Sequence, residues 1–121
     1  MSFNISNVSN TFKRKVTLYV SNAKGTDDVV AINCDFVRWS KDKVQEVQDA
    51  LSNSSGNAEG EAVVMSALEK VWTGWDVVDD NGPLEFNREN RERLFNALPG
   101  AMFEVFRVWL IGCSGRDRKN V

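Results

Sequence analysis

The sequence predicts an α+β fold: a small N-terminal antiparallel β-hairpin or sheet packed by three to four α-helices, with a helix-rich C-terminal half. Three observations point there. Two early segments alternate apolar and polar residues with a period of two, as half-buried strands do. From Ser40 onward the apolar residues recur at helical spacing. A length of 121 residues, 42% hydrophobic and 26% charged, suits one globular domain spanning 1–121 with a single core.

Residues 1–11 are rich in Ser and Asn and are predicted to be flexible. Lys15–Ser21 places Val16, Leu18 and Val20 on one face and Thr17, Tyr19 and Ser21 on the other. A loop over 22–26 follows, and then Val30, Ile32, Cys34 and Phe36 share a face in the next strand. The two read as an antiparallel hairpin with a loose connection. Ser40 is a good helix N-cap, and Val44, Val47 and Leu51 behind it keep helical spacing. The Ser/Asn/Gly run at 52–58 reads as an internal linker.

The second helix is expected from about Glu61 to Trp72, with Val64, Leu68, Val71, Trp72 and Trp75 in one stripe and Gly74 as its stop. The 79–83 segment (Asp-Asp-Asn-Gly-Pro) is a turn, entered from a short extended piece at Trp75–Val78 and left through Leu84–Phe86. Asn87 caps a third helix to about Ala97, with Glu89 and Arg93 spaced for an ion pair and Leu94, Phe95 and Leu98 facing inward. Pro99 stands near the start of the last helix. Its stripe is Met102, Val105, Phe106, Trp109, Leu110 and Cys113. Gly112 and Gly115 are expected to let it fray into a basic tail at 114–121.

The chain is poor in the groups that carry chemistry. It has no histidine, so the commonest general acid–base, zinc ligand and nucleophile partner are missing. Cys34 and Cys113 form no CxxC pair; a disulfide between them is allowed, but two buried free thiols fit better. Aligning Gly82 with the sixth position of a calcium loop puts Val77 at the first and Arg88 at the twelfth, where acidic ligands belong. Asp79 and Asp80 therefore read as turn residues, and no metal, cofactor or catalytic residue is assigned. Glu89 and Glu92 interleave with Arg88, Arg91 and Arg93, and the net charge is −2; both argue against nucleic acid. The N-terminus lacks the apolar run of a signal peptide. The Ala101–Cys113 stretch is too short and too charged for a membrane span.

Recognition of another protein remains. Trp72 and Trp109 lie on apolar helix stripes and read as core. Trp39 and Trp75 stand at element ends, where a tryptophan either closes the core edge or anchors a partner. In the last helix Val108 and Ile111 lie away from the main stripe, and Phe103 sits at its edge. A helix apolar on more than one face is either wholly buried or buries its second face against a partner. For a core this small the partner is the preferred reading. The candidate contacts are Trp75, Phe86, Asp79, Asp80, Phe103, Val108 and Ile111.

From Trp72 to Cys113 the sequence resembles the tail assembly chaperones of lambda-like long-tailed bacteriophages, from phage or prophage. The resemblance rests on Trp75, the 79–82 turn, Pro83-Leu84-Glu85-Phe86, Asn87, Leu94, Pro99 and Lys119-Asn120, and on the Phe-x-Arg step of 36–38 into the Ser40-capped helix. It implies a non-enzymatic protein of the host cell cytoplasm that binds the tape measure protein during tail morphogenesis and is absent from the mature virion. Tail tube subunits and further copies of the chain are additional candidate partners. The resemblance also raises a longer product made by ribosomal frameshifting, for which the Lys119-Asn120 codons are the place to look. The alternative is a structural tail component, a tube or tail-completion subunit, that stays in the virion. A small enzyme or nucleic-acid module ranks third.

Overall fold

In the computed structural model, which describes residues 2–115, a 3₁₀ turn at Ile5–Asn7 leads into β1 (Thr11–Ser21) and β2 (Asp27–Val37). Two helices follow, α1 (Lys41–Ser52) and α2 (Gly56–Val71), then a short strand β3 (Trp72–Gly74). A two-stranded turn of β4 (Val78–Asp79) and β5 (Gly82–Pro83) precedes α3 (Arg88–Ala97) and α4 (Gly100–Ser114). The fold is α+β as expected: an antiparallel sheet in the order β1-β2-β3, with helices against one face.

β1 and β2 pair along their whole length, from Thr11 opposite Val37 to Ser21 opposite Asp27. Even-numbered residues point inward, so Val16, Leu18, Ile32, Cys34 and Phe36 are buried. β1 starts four residues earlier than the alternation of Lys15–Ser21 indicates, because Phe12 continues the same inward face and packs on Phe36 with ring centroids 5.4 Å apart. At the hairpin tip the Asn22 side chain accepts from the backbone N–H groups of Lys24 and Thr26, and Gly25 takes a positive φ of 83°. These bonds make the connection an ordered loop rather than a loose one.

Three boundaries differ from expectation for local reasons. The linker shrinks to 53–55, since α2 begins at Gly56 and runs through the Ser/Asn/Gly segment. Gly60 is buried and lies beside Leu51 and Ser54 where α2 packs on α1. Trp72 leaves the helix and becomes the first residue of β3, paired with Phe36. Gly74 is thus a strand residue rather than a helix stop: a Cβ there would collide with the Asp35 carboxylate across the sheet. At the far end, Gly112 does not loosen α4 but lies buried inside it, where a methyl group would overlap the Phe12 ring. The helix ends at Gly115, which adopts the left-handed conformation at φ 69°. The basic segment 116–121 and Lys119-Asn120 lie outside the described residues.

α4 is the centre of the core. Ala101, Val105, Phe106, Val108, Trp109, Ile111 and Gly112 are all buried. β1 runs along one side of it, and α1, α2 and α3 contact its other sides. The Trp109 indole N–H donates to the Val37 carbonyl at 2.9 Å, satisfying the polar edge of an otherwise buried ring. Arg38 ties three segments together. Its guanidinium donates to the Ser9 carbonyl at 2.8 Å and the Gly112 carbonyl at 3.0 Å, and lies 4.9 Å from the Phe12 ring centre. Among the described residues no single helix is long and apolar enough to cross a membrane.

Candidate functional site

Two surfaces stand out, and they differ in how open they are. The first is an aromatic cluster around Trp75. Asn87 starts α3 by accepting from the Asn90 N–H at 2.8 Å, which fixes the chain direction just after Phe86. Phe86 then stands 5.2 Å from both Trp72 and Trp75, edge to face, while Arg91 covers its other side at 4.9 Å. The Trp75 indole N–H donates to the Leu84 carbonyl at 2.9 Å. Trp75 and Phe86 are each half-buried, so only part of either ring faces solvent.

The acidic rim beside them is tied down as well. One Asp79 carboxylate oxygen accepts from the Asn81 N–H at 2.8 Å, and the other pairs with Arg93 at 3.3 Å. Gly82 supplies the positive φ, at 111°, that closes the turn. Arg93 reaches this turn rather than Glu89, and Arg88 bridges Glu69 and Glu92 instead. Asp80 stays exposed.

The exposure expected on the second face of the last helix is corrected for two of its three residues. Val108 and Ile111 are 4% and 8% exposed, so they form no open surface. Val108 belongs to the buried core, and Ile111 lies low on the wall that α4 turns toward α1. Phe103, on the side away from the sheet, remains 45% exposed.

The second surface is a groove between α1 and the C-terminal half of α4, about 580 Å³ in volume. Trp39, Val44, Leu110, Ile111 and Cys113 supply apolar walls, and Lys41, Gln45, Gln48 and Arg107 stand around them. The Trp39 ring meets Trp109 edge to face at 5.7 Å and lies under the Lys43 ammonium at 5.4 Å. Arg107 is held by Glu104, donating at 2.6 and 3.1 Å, and this bond with the nearby carboxylate raises its already high pKa. The groove exists because α1 buries none of its residues. Val44, Val47 and Leu51 face the core but are only half-covered.

Sequence reasoning missed this groove, apart from Ile111 on its wall. A signal was present: Trp39 and Val44 flank the Ser40 cap at the spacing of a hydrophobic staple. Their shared concavity, however, needs α4 to form its other wall.

The titratable groups point to structure rather than chemistry. Burial pushes the Cys34 thiol up to about 12, so it stays protonated and inert at neutral pH. Desolvation raises the half-buried Cys113 thiol too, and both cysteines are free. Asp76 is shifted the other way: its carboxylate accepts from the backbone N–H and side-chain amide of Asn33, at 2.8 and 2.7 Å, which holds it below the usual range.

In this α+β protein the α1–α4 groove is walled by apolar side chains with amide and basic groups around them. The chain belongs to the phage tail assembly chaperone family, whose model matches residues 1–120. Neither the curated proteins nor the solved structures contain a match. Membership gives the general role, assisting assembly of the phage tail through interaction with tail proteins.

Proposed function

We propose that this protein binds the tape measure protein during tail morphogenesis in the host cytoplasm, acts by binding alone, and leaves before the virion matures. The carrying observation is the family match along the whole chain, and the α1–α4 groove supplies a physical means. An amphipathic helix laid between Trp39, Val44 and Leu110 would bury its apolar stripe there. Lys41, Gln45, Gln48 and Arg107 would meet its polar flanks. Phe103 and the exposed parts of Trp75, Phe86, Asp79 and Asp80 are secondary contacts, to tape measure or to tail tube subunits. A long partner gains from many copies bound at once, so one groove need supply only modest affinity.

Co-expression with the tape measure protein tests this. The wild-type chain should keep it soluble and co-purify with it. Leu110→Asp should abolish both while the far-UV spectrum stays native. Retained binding by that folded variant would remove the groove from the proposal. Ile111→Asp is a poorer probe, since it places a charge at a residue that is 8% exposed. Mass spectrometry of purified particles tests departure: finding the chain in the virion would favour a structural tail component.

A further inference from the structure

We propose that the open edge of β1 is a pairing surface for a second copy of this chain, joining two sheets antiparallel about Thr17. This does not rest on tape measure binding. Backbone bonding shows which groups are available. At the base of the hairpin the Arg38 N–H donates to the Asn10 carbonyl, and at the tip the Asn22 N–H donates to the Thr26 carbonyl. Both pairs extend the continuous β1–β2 register by one residue, one at each end. In an antiparallel ladder bonded pairs alternate with outward-facing ones. Even-numbered residues of β1 therefore bond to β2, and Thr11, Lys13, Lys15, Thr17, Tyr19 and Ser21 turn their N–H and C=O groups outward. The opposite edge obeys the same parity, since the odd-numbered Asn33 directs its N–H away from β1 to Asp76.

The two edges are finished differently. β2 is covered by β3 and then by the Asp76 carboxylate. β1 is the other outer strand of the sheet. A groove of about 360 Å³ lies beside its distal half, between Thr17–Tyr19 and Leu98–Glu104, so the α3–α4 corner leaves space there. Lysines guard an isolated edge against casual pairing, but here Lys13 and Lys15 occupy only the first half. The distal half carries none, and it presents Tyr19 at 68% exposure, with Val29 of β2 beside it at 65%.

Charge selects the occupant and its direction. The hairpin is net basic at its base, where Lys13, Arg14 and Lys15 outnumber Asp35, which pairs with Lys13 at 3.1 Å, and net acidic at its tip, where Asp27 and Asp28 outnumber Lys24. A second copy aligned antiparallel, with Thr17 facing Thr17, sets Lys15 opposite Tyr19 and Lys13 opposite Ser21 of the second copy. The Ser21 hydroxyl donates to Asp27 at 3.1 Å, so each basic base lies beside an acidic tip. Parallel pairing would set like charges side by side, which is unfavourable.

Sedimentation equilibrium and amide exchange on the full chain test this. Wild type should reach twice the 13.6 kDa chain mass as concentration rises. Amides of Lys15, Thr17 and Tyr19 should gain protection in step, while even-numbered amides are protected throughout. Tyr19→Lys sets lysine against Lys15 twice and should weaken the dimer by about ten-fold or more. Adding Lys15→Glu should restore it. Thr17→Pro removes an outward N–H without touching the β1–β2 bonds, and should lower dimerisation with the hairpin intact. A chain monomeric at every concentration would overturn the proposal. So would a dimer whose odd-numbered β1 amides stay unprotected, or one indifferent to Tyr19→Lys.

Discussion

α1 and α4 are both amphipathic, of twelve and fifteen residues, yet they occupy opposite extremes of the fold. α4 lies between the sheet and the other helices and buries residues around most of its circumference. α1 sits at the rim, contacts only α2 and α4 appreciably, and buries no residue completely. The difference lies in the number of layers around each helix. An element enclosed on several sides is committed to stability. One covered on a single side leaves apolar flank for a partner, and the groove between the two helices is where that commitment changes.

Three substitutions would break or sharpen this contrast. Trp109→Ala in α4 empties a fully buried position and removes the bond to Val37, and should cost about 3–5 kcal/mol in urea unfolding. Gly112→Ala forces a methyl group into the Phe12 ring and should cost about 1–3 kcal/mol. Val44→Ala on α1 should cost less than about 1 kcal/mol, because the side chain is already half in water, yet it should weaken tape measure binding. A cost at Val44 rivalling that at Trp109 would erase the distinction between the helices.

Asp76→Ala should have the smallest effect at neutral pH. It should also remove a pH dependence. The folded-state carboxyl lies below its ordinary value of 3.8, so the folded protein favours the ionised form. Its stabilisation is present above that value and fades as pH falls through the lower, folded one. The difference in thermal midpoint between wild type and variant should shrink as the solution is acidified below about pH 4. A difference that stayed constant with pH would show that the carboxylate's charge is not what holds Asn33.

Much of the local structure was legible before any fold was known. The even-numbered face of the hairpin, the Ser40 and Asn87 caps and the α4 stripe each depend on residues close together in the chain, where period and capping chemistry act directly. The failures share a cause. Trp72 sits at helical spacing from Val64 and Leu68, but pairing with Phe36 draws it into the sheet. Gly112 looks like a helix breaker until Phe12 arrives beside it. The 52–58 run has the composition of a linker, but α2, which packs on α1, begins inside it at Gly56. The open face expected of Val108 and Ile111 did not form, because a helical wheel shows which faces are apolar and not which of them is covered.

The sequence by itself determined the fold class, the membership of a recognisable family and the poverty in catalytic groups, since composition, period and motif order need no third dimension. The tertiary structure alone decided which apolar residues became surface. Burial is a property of neighbours brought from far along the chain: Val108 and Ile111 end up 4% and 8% exposed, while Trp39 and Val44 stay half-covered. The same long-range arrangement separates a finished β2 edge, closed by Asp76, from an open β1 edge.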